Sequence, residues 1–135
     1  MCSLDSNILI YFFRGTGHVA DHLRRHAASI IRIPTPALFE LAYATAKSSR
    51  PMQQRAGIDA VMQRFESVPL NYASARQAGV LRQSLKKGGV LIGPYNLLIT
   101  SIALANNLTV ITRNTREFER VPGVKLENWY DAPAA

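Results

Sequence analysis

Cysteine is nearly absent: Cys2 is the only one in 135 residues, which excludes an internal disulfide framework and any zinc knuckle built from paired thiolates. A reducing, cytoplasmic setting is therefore expected. Long hydrophobic runs are missing too. No apolar stretch approaches the roughly 20 residues needed to cross a bilayer. The first residues run straight into an apolar segment ended by Arg14, without the layout of a cleavable signal, so neither secretion nor membrane insertion is expected. Acidic side chains are scarce, 9 Asp and Glu against 16 Lys and Arg, for a formal charge of +7. That imbalance favours polyanions, acidic proteins or anionic surfaces as partners without choosing among them. Nucleotide fingerprints are lacking as well. There is no Walker motif, and Gly15-Thr16-Gly17 is too short to be one, reading as a flexible turn or, with Arg14, a phosphate contact.

What is present is 47% hydrophobic, enough at this length for one compact domain over residues 1–135 with its own core. Ser3-Leu4 reads as a short buried strand, Asp5-Ser6-Asn7 as a polar turn able to cap a helix, and Ile8 to Phe13 as that helix. The spacing predicts helices over 19–26, 37–47, 52–65, 73–87 and 95–105, and a short helical turn over 117–119. Strands are predicted over 30–33, 67–72, 109–112 and 124–126. Short β-branched strands alternating with helices argue for a three-layer α/β domain with a central, mostly parallel sheet. Residues 131–135, ending Pro-Ala-Ala, read as a frayed tail.

His18, His22 and His26 recur at every fourth position, a spacing able to bind Zn²⁺ or Ni²⁺. Without acidic companions they read instead as a solvated helix face. Apolar side chains on the 52–65 helix fit either a dimer face or core packing.

Ligand sites in such sheets form beyond the carboxyl ends of the strands, and polar residues stand out there. Asp5 follows the first strand, Glu40 lies on the helix after the second, and Asn96 is in the first turn of a strongly apolar helix. Asn114 and Glu117 follow the fourth strand. Carboxylates from separate segments can supply a hard cation, Mg²⁺ or Mn²⁺, with oxygen ligands while leaving room for water and a phosphate. Asp5 and residue 96 would ligate directly, and Glu40 and Glu117 directly or through water, one of them orienting the attacking water. Other roles stand beside these: Asp5 as a helix cap, Glu40 and Glu117 paired with Arg113, Arg116 or Arg120, Asn96 as a cap, Asn114 as a turn residue.

Four motifs in order carry a resemblance. They are Leu4-Asp5-Ser6-Asn7-Ile8-Leu9-Ile10-Tyr11, Phe39-Glu40-Leu41, Ile92-Gly93-Pro94-Tyr95-Asn96-Leu97 and Thr112-Arg113-Asn114-Thr115-Arg116-Glu117-Phe118. Together they resemble the successive motifs of PIN-domain ribonucleases, nearest to the toxin subunits of VapBC toxin–antitoxin pairs. The resemblance runs nearly end to end, through Val121-Pro122-Gly123 and Glu127-Asn128-Trp129. It implies a PIN-like α/β/α fold and an Mg²⁺- or Mn²⁺-dependent endoribonuclease acting on structured, tRNA-like RNA. It also implies a homodimer, a cognate VapB-type antitoxin covering the site, and operator DNA bound only through that antitoxin. Asp5, Glu40, residue 96 and Glu117 become the catalytic set, Ser6, Asn7 and Asn114 its supports, and Arg14, Arg113 and Arg116 candidate RNA contacts.

Two departures bear on activity. Ser6 replaces the usual Thr and keeps a hydroxyl. Asn96 stands where the family has Asp, which keeps the shape and removes an anionic ligand, so an inactive or weak enzyme is expected. Deliberate inactivation of a harmful toxin is the first explanation for that amide, ahead of natural loss. The alternative function is a catalytically dead PIN-fold binding module acting through its antitoxin and operator regulation.

Overall fold

The computed structural model describes residues 1–134; Ala135 lies outside the described residues. Strand β1 (Cys2–Leu4) leads into α1 (Ser6–Arg14), which Asp5 caps by accepting the Ile8 N–H at 2.8 Å. Gly15, in the left-handed conformation that favours glycine, ends α1. Then come α2 (Val19–Arg24), a 3₁₀ turn over Ala28–Ile30, β2 (Ile31–Pro34), α3 (Thr35–Ala46) and α4 (Pro51–Arg64). Strand β3 (Glu66–Val68), α5 (Tyr72–Lys87), α6 (Pro94–Asn106), β4 (Thr109–Ile111), α7 (Thr115–Phe118) and β5 (Lys125–Glu127) complete the order.

All five strands pair in parallel, in the order β3-β2-β1-β4-β5. The chain builds outward from β1 on one side and then returns to its other side at β4. The boundary between β1 and β4 is thus the point where the strand order reverses, the place such sheets offer to ligands. Helices cover both faces. Neighbouring β4 residues enter different cores, as the pleat requires. Ile111 packs with Leu4, Ile8, Leu9, Ile31, Ile33 and Trp129 on one face, and Val110 with Ala37, Ile99, Ala103, Leu108 and Phe118 on the other. The expected three-layer α/β architecture is what the chain forms. Among the described residues no helix is long and apolar enough to cross a membrane.

Three local differences from the sequence reading have physical causes. The third strand stops at Val68 rather than reaching Tyr72, because Pro69 cannot donate to a ladder and Asn71 instead caps α5. Asn71 and Ser74 there exchange side-chain and backbone hydrogen bonds in a capping box. His22 and His26 are not a solvated face: both stack on the buried Trp129 ring, with centroids 5.4 and 4.6 Å away. The segment after Trp129 is tied to α2, since His22 Nε2 lies 2.8 Å from the Asp131 carbonyl and Arg25 donates to that of Ala134 at 3.2 Å.

Candidate active site

Asp5 emerges from the end of β1 beside the end of β4, and its backbone N–H donates to the Ile111 carbonyl at 3.1 Å. Its side chain is buried, 3% exposed. Burial pushes the carboxyl from its ordinary 3.8 up to about 6, a rise that hydrogen bonds from Thr112 and the Ile8 N–H oppose and the charge of Glu40 reinforces. Glu40 comes from the middle of α3. Its Oε1 accepts the Ser6 hydroxyl at 3.1 Å, and partial burial raises its pKa against that hydrogen bond. Asp5, Ser6, Glu40 and Thr112 therefore make one connected half of the site, joining β1, α1, α3 and the end of β4.

The other half centres on Glu117. Its Oε1 accepts the Gly93 N–H at 2.6 Å, while its Oε2 accepts the side-chain amides of Asn96 at 3.0 Å and Asn114 at 2.8 Å. A carboxylate only accepts, so both amides must present their nitrogens to it. Thr112 lies between the halves: its hydroxyl helps to hold down the pKa of Asp5, and its oxygen accepts the Asn114 N–H at 3.0 Å. The expected residues thus fall into two groups at the reversal of the sheet, Asp5 and Ser6 with Glu40 in one and Asn96 and Asn114 with Glu117 in the other. Asn7 is exposed and stands apart from these hydrogen bonds.

Sequence reading missed Thr112 and Gly93. Thr112 carries a weak signal, a buried polar residue closing an apolar strand; Gly93 contributes only backbone and carries none. The alternative pairing of Glu40 or Glu117 with Arg113, Arg116 or Arg120 is absent among the described residues. Arg113 lies over the Tyr130 ring at 3.7 Å from its centroid and over the Tyr11 ring at 5.6 Å, so it is committed to an aromatic cluster at the site's edge. Arg116 is exposed on α7. Arg14 ends α1 and lines a separate hollow of about 690 Å³ between α1, α3 and α4, with apolar walls that include Ile10, Phe13, Leu41 and Ile58 and with exposed Lys47 and Arg50.

As built, the site offers oxygen donors suited to a hard cation, but not a complete ligand set. Among the described residues no three carboxylate, imidazole or thiol side chains lie close enough to share an ion. Glu117 is already satisfied by three N–H donors, and Asn96 turns toward it a nitrogen that cannot ligate. The residues present therefore do not fit a firmly held metal.

The PIN-domain family profile matches residues 3–124. Over 128 residues the chain is 34% identical to "Ribonuclease VapC2" of Rickettsia felis, covering 93% of this chain and 96% of that one. It is 31% identical, with the same coverage, to "tRNA(fMet)-specific endonuclease VapC" of Salmonella typhimurium. Among solved structures, VapBC2 from Rickettsia felis bound to a promoter DNA fragment aligns with a TM-score of 0.87 at 33% identity, covering 94% of this chain and 97% of that one. DNA-bound VapBC from Salmonella typhimurium aligns with a TM-score of 0.87 at 30% identity, over 96% and 99% of the two chains.

Proposed function

This chain belongs to the PIN-domain family, among the VapC-type ribonuclease toxins, and from that membership we propose that it is an endoribonuclease weakened by the amide at position 96. The observation that supports the reading is that Asp5 with Glu40, and Asn96 with Glu117, form two neighbouring groups where the sheet reverses. PIN-domain nucleases are generally dependent on a divalent metal. With Asp at 96, the chain would present four acidic side chains suited to Mg²⁺ or Mn²⁺. With Asn it presents three, one of them held by amides, and an impaired enzyme follows. A relative specific for tRNA(fMet) supports structured, tRNA-like RNA as the substrate class.

The partner is a VapB-type antitoxin, and operator DNA is bound by the pair, as in the DNA-bound relatives. The hollow between α1, α3 and α4 fits a partner segment with apolar anchors and acidic flanks, matching its apolar walls and its Arg14, Lys47 and Arg50. A homodimer is part of this reading.

The test is RNA cleavage by the chain and by Asn96→Asp, each with Mg²⁺, Mn²⁺ or a chelator. Cleavage should rise sharply in Asn96→Asp and vanish with chelator; chelator-insensitive cutting would discard the metal-dependent reading. A second reading, a pseudo-nuclease acting only through its antitoxin, is favoured by the amide-saturated Glu117. An Asn96→Asp variant that stays inert while still binding the antitoxin would establish it.

A further inference from the structure

Two aromatic rings stand exposed beside the acidic cluster. Phe39 directly precedes Glu40 on α3, and Tyr95 directly precedes Asn96 on α6. The rings meet with centroids 5.2 Å apart at a tilt of 37°, yet Phe39 remains 54% and Tyr95 40% exposed. Beside them is a shallow hollow of about 250 Å³, completed by Thr35, Pro36, Leu70 and Leu98, with no charged side chain in its lining. Leaving such rings in water forgoes the stabilisation their burial would bring, and nothing in the packing of α3 or α6 covers them.

Resting on the ribonuclease reading, we propose that Phe39 and Tyr95 form a stacking site for one unpaired nucleobase of the RNA, next to the bond to be cut. Recognition of RNA by sequence and shape falls mainly on unstacked bases in loops, which are laid against aromatic faces. An uncharged, ring-walled hollow suits a base and offers no counter-charge to the phosphates on either side of it. The net charge of +7 attracts the polyanion as a whole. Phe39 is the chain neighbour of Glu40 on α3 and Tyr95 that of Asn96 on α6. Consecutive helix side chains diverge by about 100°, so the stacking site and the acidic cluster are neighbouring sites on the same pair of helices that one nucleotide would have to bridge. A second copy of the chain is the competing occupant, and the test separates the two.

The experiment measures binding of a short fluorescent unpaired RNA to the full chain in chelator, where no cutting intervenes, alongside the same RNA made abasic along its length. The chain should bind the intact RNA about tenfold more tightly than the abasic one. Phe39→Ala and Tyr95→Ala should each lose most of that difference, while Phe39→Tyr and Tyr95→Phe keep it. RNA carrying 5-iodouridine should cross-link on irradiation to Tyr95 and not in Tyr95→Ala. Equal binding of intact RNA by the chain and the alanine variants, or equal binding of intact and abasic RNA, overturns the stacking site and leaves the ribonuclease reading standing. Failure of the unaltered chain to bind either RNA overturns both. Alanine variants that change the subunit count in light scattering assign the rings to a contact between copies instead.

Discussion

The side-chain amide of Asn96 donates to Glu117 Oε2 at 3.0 Å, joining the first turn of α6 to α7 across the mouth of the sheet. An amide can close this gap by itself; a carboxylate at 96 would face a second carboxylate and need a cation between them.

Asn96→Asp should therefore lower the stability of the metal-free protein by on the order of 2 kcal/mol, the loss of a hydrogen bond to a charged group plus like-charge repulsion. Saturating Mg²⁺ or Mn²⁺ should recover most of this, since a ligand at 100 times its dissociation constant adds about 2.7 kcal/mol. Melting temperatures with and without metal check it. Identical values for both proteins in both conditions would count against a clustered site.

Asp5 gives a pH signature. Its folded-state pKa of about 6 lies above the ordinary 3.8, so stability is fully present while both states are protonated. It declines as pH rises from about 4 to about 6, where the unfolded chain ionises first. Above that the penalty levels off, on the order of 3 kcal/mol. Asp5→Asn keeps an acceptor for the Ile8 N–H and removes the ionisation. It should match the unaltered chain below pH 4 and be more stable at pH 8, as read by urea denaturation across that range.

Gly17 is required by both conformation and space. Its φ is +65°, and a Cβ there would come within 2.6 Å of the Tyr130 ring, which packs edge-on against Tyr11. Gly17→Ala should cost about 2 kcal/mol or more and displace Arg113 from Tyr130. Thermal unfolding would register the loss; an unchanged melting temperature would contradict this packing.

Ser3 lies fully buried on β1 with no hydrogen-bond partner for its hydroxyl among the described residues. An unsatisfied buried hydroxyl is costly, so Ser3→Ala should be neutral or stabilising by about 1 kcal/mol. A clear destabilisation would mean that the hydroxyl has a partner in solution.

Polar residues set into apolar segments announced Asp5, Glu40 and Asn96, because an apolar stretch rarely carries them without a role. Glu117 was found by its place after a strand. Thr112 and Gly93 escaped for opposite reasons: a threonine is ordinary in a β-strand, and a backbone N–H has no residue type to betray it. The stacking of His22 and His26 depends on the return of Trp129 to α2, a tertiary contact invisible in the helix's own periodicity. At the third strand, the capping signal of Asn71 and Ser74 was readable, but the β-forming residues around it suggested extension.

The parallel order β3-β2-β1-β4-β5 sets when the pocket can first form. Asp5 is synthesised well before Thr112 and Glu117, and β1 lacks one neighbour until β4 exists. A half-made chain cannot assemble the pocket. Site assembly is thereby tied to the most sequence-distant strand pairing in the sheet, that of β1 with β4.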